Sequence, residues 1–529
     1  MSRELLAEAA LAQIPKILTL LDRNPHSPTY GCFDRNYWHY RIIDFPSGMA
    51  QEFVLPLALA YELNIPGNPY HRQPAVKEWV EAGILFAARS AHSDGSCDDY
   101  FPYERAGGAA AFSLLACVDS YSLLGLENEA ALRFFKRRAD WLARHHESGR
   151  LSNHQALIAL CLELLARLLK TGEWDQARDD RIRRVLSWQS AEGWFQEYEG
   201  CDPGYHTLTL SCLARLYDLK PTEQLSAALT RAVSLAAEFV HPDGTFGGEY
   251  GSRNTYNFFP HGFELTGKWL PAALAVNDRF LMGLADGSAP CYADDHIIGH
   301  HAWNYLLAWR DFVEQRPGPG PRPRGRVVLN EAGILIDRRD DAEMYIALNK
   351  GGVFKLFRNG RLAVSDTQLS LLVRSDGDVR NAVAHLMDDY QTELCETRIT
   401  IRGRFGWAKQ TQMTVPRLVL LRLMMMTIGR FIPNLIRRLL QSVLITGKDP
   451  APFEFIRTFK WESGWTIIDE LRAESWENVE SAGIGCDQTS IYVVMSRTFQ
   501  KGQLQPWRDL THEVRKLAPG QPLILERKF

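Results

Sequence analysis

Three short polar stretches, spaced by about fifty residues, hold the side chains in this sequence whose types could carry out chemistry. The first pairs an amide with an imidazole, the second pairs a phenol with an imidazole, and the third contains a guanidinium, an amide and a phenol. These residues are Asn153, His154, Tyr205, His206, Arg253, Asn254 and Tyr256. If the stretches converge in one cleft, Arg253 and the imidazoles could supply the positive charge that a tyrosine needs to act as a general base.

The first two stretches lie where a turn meets a run of residues with helical periodicity. Apolar residues recur at helical spacing from Ser152 to Leu169, and the turn at 201–204 precedes a similar run that begins at Tyr205. Polar side chains at such helix starts can point into a cavity. Asparagine is also a good helix cap, so a capping Asn153 beside a packed His154 is the structural alternative.

Helical runs fill the first 310 residues, and similar turns recur between them. The turns combine an acidic residue, a glycine and an aromatic residue, and the copy at Gly149 is looser than the copies at Gly95, Gly193 and Gly244. One helical hairpin per repeat is predicted, and hairpins must stack or close into a ring to bury their apolar faces. Closure would give an α/α toroid with the turns around a central cleft. Trp194, in the third turn, is a further candidate for binding substrate.

A Pro/Gly-rich linker at 316–326 separates two regions of different periodicity. Residues 1–315 show helical spacing, whereas residues 327–529 show mainly the two-residue alternation of strands. Proline and glycine prevent the linker from forming a helix or a central strand. The sequence therefore predicts an N-terminal α/α toroid followed by a C-terminal antiparallel β-sandwich.

The segment 415–445 interrupts the strand pattern with apolar residues that arginines punctuate at Arg417, Arg422, Arg430 and Arg437. No apolar run in it reaches the ~20 residues that a membrane-spanning helix needs. One hypothesis is that this basic amphipathic segment lies on an anionic membrane surface. The alternative is a helical insertion that packs against the toroid and keeps its arginines in solvent.

Composition excludes several classes of protein. The formal net charge of −3 does not suit a nucleic-acid-binding protein. Nine cysteines without a C-x-x-C pair argue against a disulfide framework or a zinc ribbon and fit a reducing compartment. The first residues include Glu4 and Glu8 and contain no apolar core of signal-peptide length, so we expect a cytoplasmic protein unless a leader has been removed.

Two further clusters offer weaker alternatives. Four acidic residues that could serve as the paired carboxylates of an inverting glycosidase crowd one turn: Asp94, Asp98, Asp99 and Glu104. Solvated or capping roles would explain them as well. The histidines at 300–301 and the Asp-Asp-His at 294–296 lack a regular metal-ligand spacing, and we expect no metal and no cofactor.

The pair Asn153-His154 at a helix start, followed by Tyr205 near the next hairpin, resembles a family of polysaccharide lyases. These enzymes combine an α/α toroid with a C-terminal β-sandwich and include heparinase II/III-type enzymes, oligoalginate lyases and, more distantly, chondroitin AC-type lyases. The resemblance implies β-elimination on a uronic acid. Asn153 and His154 would bind the carboxylate and stabilise the enolate-like intermediate, Tyr205 would remove the C5 proton, and Arg253 would bind a further acidic group.

One segment departs from that family. Heparinase II/III-type enzymes carry a His-x-His-x-Asp-like segment before a strand of the β-domain, which supplies a catalytic histidine and helps to bind a metal. The corresponding segment here is Arg361–Leu372, where Asp366 is present and both histidines are missing. The general acid therefore has no assigned residue, and His385 is the nearest spare imidazole.

The leading hypothesis is a lyase-like protein that acts on an acidic, uronic-acid-containing polysaccharide. Its expected catalytic residues are Asn153, His154 and Tyr205, and its expected substrate-binding residues are His206, Arg253, Asn254, Tyr256 and Trp194. One alternative is a toroid glycoside hydrolase that acts on uronate oligosaccharides. The other is a non-catalytic protein of exopolysaccharide production that docks at the inner membrane through the segment 415–445.

Overall fold

The structure is a computed structural model. It describes residues 2–147, 149–198, 200–289, 291–292, 297–375, 377–409, 412–432, 436, 448–486 and 498–529. Three predicted features lie wholly or partly outside these residues: a strand at 490–495, the Asp-Asp-His at 294–296, and the last part of the segment 415–445.

Helices dominate the described residues up to 310. They are α1 (Glu4–Leu11), α2 (Ile14–Leu20), α3 (Arg35–Trp38), α4 (Val54–Glu62), α5 (Pro74–Ser90), α6 (Gly107–Leu123), α7 (Glu129–Arg144), α8 (Ser152–Leu169), α9 (Asp175–Ser187), α10 (Pro203–Leu219), α11 (Glu223–Phe239), α12 (His261–Gly267), α13 (Pro271–Ala285) and α14 (Ile297–Arg310). A 3₁₀ turn covers Met49–Phe53, and three short strands are β1 (Gln196–Glu197), β2 (Gly200–Cys201) and β3 (Cys291–Tyr292).

The helices form two concentric rings. In the inner ring α4, α6, α8, α10, α12 and α14 each pack against the next, and α14 packs against α4, which closes the ring. The outer helices α5, α7, α9, α11 and α13 each pair with the preceding inner helix, and α1 packs outside α14. Inner helices such as α6 are buried on nearly all sides, whereas outer helices such as α7 bury one face. The predicted α/α toroid is confirmed.

The repeated turns have the backbone that the sequence predicts. Gly95, Gly149, Gly193 and Gly244 have left-handed φ angles of +89°, +96°, +103° and +78°. In the turns at 95, 193 and 244, the residue three positions before the glycine donates its N–H to the carbonyl one position after it, at 2.8 to 2.9 Å.

Two antiparallel sheets follow the toroid. The five-stranded sheet has the order β4 (Gly325–Leu329), β5 (Ile334–Arg339), β6 (Ala342–Ala347), β7 (Val353–Arg358) and β8 (Arg361–Asp366). The nine-stranded sheet contains β9 (Leu369–Ser375), β10 (Asp378–Val383), β11 (Gln391–Leu394), β12 (Arg398–Trp407), β13 (Pro450–Trp461), β14 (Trp465–Ala473), β15 (Val479–Ile484), β17 (Arg508–Asp509) and β18 (Leu523–Lys528). Its order is β17-β15-β9-β10-β12-β13-β14-β18, with β11 paired to β12, while β16 (Thr498–Phe499) pairs with β3.

The five-stranded sheet is the middle layer between the toroid and the nine-stranded sheet. Alternate residues of a strand point to opposite faces, so Leu335 enters the core of the sandwich and Ile336 enters the core of the toroid. Phe354 packs edge-on against Phe459 of the other sheet at 5.3 Å, whereas Tyr345 faces the helices. The predicted β-sandwich is present, and its inner sheet lies directly on the toroid.

An inserted helix, α15 (Val415–Met424), interrupts the nine-stranded sheet between β12 and β13, and a π-helical turn follows it at Met425–Gly429. None of the α15 side chains is buried. Helix α16 (Thr511–Val514) is the last of the described helices. Within the described ranges, every helix is too short or too polar to cross a bilayer.

Candidate active site

Asn153, in the first turn of α8, holds the carboxylate of Glu197. Its side-chain Nδ2 donates to Oε1 and Oε2 of Glu197 at 2.9 and 2.8 Å, and its backbone N–H donates to Oε1 at 2.9 Å. An isolated bridge between Leu151 and Glu197 places β1 beside the start of this helix. Leu151, not Asn153, occupies the N-cap position, so the alternative of a purely capping Asn153 is wrong.

Arg253 joins this pair to two tyrosines. Its guanidinium carbon lies 4.0 Å from the ring centre of Tyr205 and 4.7 Å from that of Tyr198. Its Nη1 lies 3.6 Å from Oε2 of Glu197. Arg253 and Tyr205 are both buried, and stacking of a cation on an aromatic face is strongest where water is excluded. Asn153, Tyr205 and Arg253 therefore converge, as the sequence predicted.

Asp202 sets the relative positions of Tyr205 and Arg253. Its Oδ1 accepts the backbone N–H of Tyr205 at 3.0 Å as the N-cap of α10. Its Oδ2 accepts the backbone N–H of Arg253 at 3.1 Å, and the hydroxyl of Thr255 also donates to this carboxylate. Gly204 permits the close approach of the two loops, because a Cβ at this position would lie 2.2 Å from Oγ1 of Thr255.

Burial changes the proton affinity of two groups in the cluster. Burial raises the pKa of Glu197 from 4.5 to about 7, although Arg253 and the hydrogen bonds from Asn153 act in the opposite direction. Burial likewise raises the pKa of Tyr198 to about 12. Near neutral pH, Glu197 can therefore gain a proton, while the Tyr198 phenol keeps its own.

His154 extends the cluster towards solvent. Its Nδ1 lies 2.6 Å from Oε2 of Glu147, and its side chain is 20% exposed. The ring packs on Gly108 at the start of α6, where a Cβ would lie 2.6 Å from Cε1 of the imidazole. Tyr198 is also partly exposed, so these two residues form the side of the cluster that a ligand can reach.

The β-domain holds the loop that carries Arg253. Lys350, between β6 and β7, donates from Nζ to the carbonyls of Glu249 and Gly251 at 2.7 and 3.0 Å, and to Oδ1 of Asn254. Asn254 thus binds the β-domain through its side chain. Burial lowers the pKa of Lys350 to about 8.

His385, the spare imidazole of the β-domain, follows β10 and lies close to Lys350. Burial, and then the charge of Lys350, lower the pKa of His385 to about 3. His385 is therefore neutral at physiological pH. It lies near Lys350, the lysine that contacts the Arg253 loop.

Two residues that flank the cluster have left-handed backbone angles. Tyr198 has a φ of +56° and Asn254 a φ of +55°. Each such non-glycine residue costs about 1–3 kcal/mol and persists only where its surroundings hold it. The N–H of Tyr198 donates to the carbonyl of Arg150 at 2.9 Å, and Lys350 holds Asn254. Strain of this kind is concentrated at functional sites.

His206 does not join the cluster, which corrects the prediction that it binds substrate. It is fully buried, its Nε2 lies 2.9 Å from the carbonyl oxygen of Ala232 on α11, and its ring stacks on Phe195. Burial lowers the pKa of His206 to about 4, so it carries no charge that could act on Tyr205 at neutral pH. Adjacent helical residues point in different directions, so Tyr205 and His206 cannot both face one cleft.

Tyr256 and Trp194 lie in the contact between the two domains, which corrects their assignment to substrate binding. The Tyr256 hydroxyl donates to buried Glu249, which also pairs with Nζ of Lys355 at 3.1 Å. Trp194 donates from Nε1 to Glu192 at 3.1 Å, and Glu192 accepts two backbone N–H groups from the turn before β5. Both aromatic residues are at most 6% exposed.

The acidic residues that suggested a hydrolase accept hydrogen bonds from their own turn and, for Asp99, from Ser47 of another loop. Asp98 accepts the backbone N–H of Tyr103 at 2.7 Å, and Glu104 accepts an N–H from four positions earlier at 2.8 Å. Asp99 accepts the hydroxyl of Ser47 at 2.5 Å. All three carboxylates are buried among these donors.

The segment that lacks the two histidines contains a buried ion-pair network. Asp366 lies 2.9 Å from Nη1 of Arg457 and 2.7 Å from Nη1 of Arg527, and Asp469 pairs with both arginines. At 300–301, His300 pairs with Glu52 and His301 contacts Asn257. The residues that the structure describes contain no group of three or more His, Cys, Asp or Glu side chains that could hold a metal ion.

Glu197 is the important residue that sequence analysis missed. It lies eight positions before Tyr205, in a short polar run between the turn glycine Gly193 and α10. An acidic residue next to a tyrosine in such a run was a weak signal. The contact of its carboxylate with Asn153 appears only in the structure, in the three hydrogen bonds between the two residues.

Solved structures of polysaccharide lyases have a similar architecture. No protein-family model matches the chain, and no curated protein is significantly similar to it. The structure of a Paenibacillus xanthan lyase matches with a TM-score of 0.55 at 11% identity, over 91% of this chain and 46% of that chain. The Streptomyces coelicolor A3 chondroitin AC lyase in complex with chondroitin sulphate matches with a TM-score of 0.56 at 12% identity, over 92% of this chain and 68% of that chain.

The chain thus spans about half the length of the xanthan lyase and about two thirds of the chondroitin AC lyase. At these identities the similarity concerns the fold. The chain has the fold of these polysaccharide lyases, with an α/α toroid followed by an antiparallel β-sandwich.

Proposed function

We propose that this protein is a polysaccharide lyase that cleaves a uronic-acid-containing polysaccharide by β-elimination. The observation that carries the proposal is the stacking of Arg253 on Tyr205 beside the carboxyl group of Glu197. The stacked guanidinium supplies positive charge beside the tyrosine that we propose as the general base. The shared fold of the xanthan and chondroitin AC lyases supports the same class of reaction.

In the proposed reaction, the side-chain oxygen of Tyr205 acts as the base and takes the proton from C5 of the uronic acid. The electron pair of the C5–H bond forms the double bond between C4 and C5, and the C4–O bond breaks. The leaving oxygen receives a proton from Tyr198, which burial keeps in its phenol form. Transfer of the C5 proton from Tyr205 to Tyr198, which is partly exposed to solvent, restores both groups.

The carboxylate of the substrate needs partners that neutralise it, because this makes the C5 proton more acidic. Asn153 offers its amide, but in the free protein its Nδ2 already lies 2.9 and 2.8 Å from the two carboxylate oxygens of Glu197. An ionised Glu197 would repel a uronate. A protonated Glu197 would remove this repulsion, and its raised pKa makes this form accessible near neutral pH. His154, at the exposed side, would bind the same carboxylate.

The test is to incubate the purified protein with alginate, heparan, chondroitin, hyaluronan and xanthan and to follow ultraviolet absorbance. Elimination produces a C4–C5 double bond conjugated to the carboxylate, and this product absorbs ultraviolet light. The products of hydrolysis contain no such double bond. We expect absorbance to rise with one polymer and the rise to vanish in Tyr205→Phe. Tyr217→Phe, on the same helix α10 and outside the cluster, is the matched control.

New reducing ends without new absorbance would contradict the lyase and indicate a hydrolase. Polymer binding without either product would indicate the non-catalytic alternative. An absorbance rise that survives in Tyr205→Phe would keep the lyase and remove Tyr205 as its base.

A further inference from the structure

The segment between β12 and β13 presents an unusual set of exposed apolar side chains. Nine large apolar residues from Val415 to Ile432 are between 42% and 75% exposed: Val415, Leu418, Val419, Leu420, Leu423, Met426, Ile428, Phe431 and Ile432. Scattered apolar residues are normal on a protein surface, but a contiguous set of this size marks a binding surface.

Helix α15 buries none of its own side chains against the rest of the described protein. It is 10 residues long and none of its side chains is buried. Isolated helices shorter than about 12–15 residues are only marginally stable in water. A helix of this length and exposure therefore gains stability when another surface covers its apolar side chains.

A loop of the toroid extends the same surface. Arg422 of α15 pairs with Asp44, and its guanidinium lies 5.6 Å from the ring centre of Phe45. Next to these contacts, Tyr40 is 56% exposed and Ile42 is 71% exposed. We call the described residues 40–45 and 412–432 the apolar patch, which combines elements of both domains.

The positive charge of residues 409–448 indicates an anionic partner. From residue 409 to residue 448 the sequence contains seven basic residues and no acidic residue, although the whole chain has a net charge of −3. The basic residues are Lys409, Arg417, Arg422, Arg430, Arg437, Arg438 and Lys448. Arginines among exposed apolar side chains can place their apolar stems in a bilayer interface and their guanidinium groups among lipid phosphates.

We propose that the apolar patch binds the surface of an anionic phospholipid bilayer and holds the protein there as a peripheral protein. Apolar side chains such as Leu420 and Phe431 enter the headgroup boundary, while Arg417 and Arg430 contact lipid phosphates. A soluble acidic polysaccharide would satisfy the arginines but would leave the apolar side chains in water. This combination therefore favours a lipid surface over the polymer substrate.

Vesicle flotation of the full-length protein tests this proposal. We expect co-flotation with vesicles of phosphatidylcholine and phosphatidylglycerol, much weaker binding to phosphatidylcholine alone, and loss of binding at high salt. Each basic residue near an anionic surface contributes about 1 kcal/mol, so Arg417→Glu/Arg430→Glu should weaken binding at least roughly 30-fold. Leu420→Ser/Phe431→Ser should weaken it at least roughly tenfold, because less apolar area is buried.

Matched controls separate the patch from general effects of charge and polarity. Lys516→Glu changes an exposed basic residue and Ile524→Ser an exposed apolar residue elsewhere on the β-domain, and neither should alter flotation. Unchanged thermal unfolding of each variant shows that the fold is intact. The proposal is overturned if wild-type protein stays in the soluble fraction with anionic vesicles, or if both patch variants float as well as wild type. Self-association through the patch, or binding to a soluble polyanion instead of vesicles, would also overturn it.

Discussion

Glu197 and Asn153 form a closed pair, in which both carboxylate oxygens of Glu197 accept hydrogen bonds from the single amide nitrogen of Asn153. The backbone N–H of Asn153 adds a third hydrogen bond, and neither side chain reaches solvent. The amide nitrogen that a uronate would use therefore already contacts Glu197 in the free protein. The protonation state of Glu197 should control both the stability of the site and its affinity for an acidic ligand.

Replacement of Glu197 by glutamine should change how stability depends on pH. The folded protein holds this proton with a pKa of about 7, compared with 4.5 in the unfolded chain. The contribution of the group to stability is thus complete below pH 4.5 and is lost as the pH rises through 7, a loss of roughly 3 kcal/mol. The amide in Glu197→Gln cannot titrate. The urea midpoint of this variant should therefore rise relative to that of wild type as the pH increases from 4.5 to 7.

The control for this experiment is Glu129→Gln, which alters a carboxylate with a side chain that is 90% exposed. Its stability difference from wild type should stay constant with pH. A constant difference for Glu197→Gln as well would show that the pKa of Glu197 is not raised.

Binding of a uronate oligosaccharide should be coupled to uptake of one proton above pH 7. If only protonated Glu197 tolerates the uronate carboxylate, the apparent dissociation constant should rise about tenfold per pH unit above its pKa of about 7. Calorimetry with the inactive Tyr205→Phe protein, in two buffers of different ionisation enthalpy, measures the uptake directly. Glu197→Gln should bind without it. A dissociation constant of wild type that does not change with pH would mean that the charge of Glu197 does not act on the substrate carboxylate.

Arg253→Lys should separate the charge of this residue from its shape. A lysine keeps the positive charge but cannot stack a planar guanidinium on Tyr205 and reach Glu197 at the same time. We expect kcat to fall by roughly 10²-fold, the usual effect of removing a preorganised electrostatic group, with a smaller change in KM. Arg231→Lys, on the exposed face of α11, is the control. A wild-type kcat in Arg253→Lys would show that charge alone suffices.

Much of this arrangement follows from the sequence, and the exceptions have physical reasons. The change of period near residue 320 and the fifty-residue repeat of turn glycines predict the two domains, and the repeat also predicts that Asn153 and Tyr205 occupy equivalent inner helices. Arg253 follows the next turn glycine, Gly244. The closed ring of helices brings Arg253 close to Asn153 and Tyr205. The prediction that His206 binds substrate is wrong because its residue type suggests a functional role, whereas its position on α10 turns its side chain towards α11.

Contacts made by the β-domain could not be predicted from the toroid sequence. Trp194 and Tyr256 have residue types that suit a sugar-binding cleft, yet Tyr256 packs against Lys355 of the five-stranded sheet and Trp194 binds Glu192, which contacts the turn before β5. Lys350 lies about a hundred residues after the loop that it holds. A contact at that distance has no local pattern, because it depends on where the sheet docks.

Gly108→Ala should displace His154 without unfolding the helix. A Cβ at position 108 would lie 2.6 Å from Cε1 and 2.8 Å from Nε2 of His154, so the ring must move away from Glu147. Alanine is otherwise the better helix former, so thermal stability should change little. We expect kcat/KM to fall at least roughly tenfold through loss of a positioned group.

A double-mutant cycle distinguishes this mechanism from general disturbance. Gly108→Ala/His154→Ala should be no worse than His154→Ala alone, because the added methyl group acts only through the ring. Gly320→Ala, where a Cβ meets no atom within 4 Å, is the control for adding a methyl group. Additive losses in the cycle would contradict the assignment.

Lys350→Met should loosen the loop that carries Arg253. The ammonium group supplies three donors, and three acceptors use them: the carbonyls of Glu249 and Gly251 and the Oδ1 of Asn254. Methionine has a similar length but offers no donor. We expect faster amide hydrogen exchange in the peptide 247–256, together with a lower kcat/KM.

The pH dependence of the wild-type loop provides an independent check. Burial lowers the pKa of Lys350 to about 8, so above this pH the neutral amine has two donors for three acceptors. After correction for the intrinsic rate, exchange in 247–256 should accelerate between pH 7 and pH 9 in wild type but not in Lys350→Met. Lys268→Met removes an exposed lysine that pairs with Asp218 and should leave the loop unchanged. Equal protection in wild type and Lys350→Met at pH 7 would show that the toroid holds Arg253 in place without help from the β-domain.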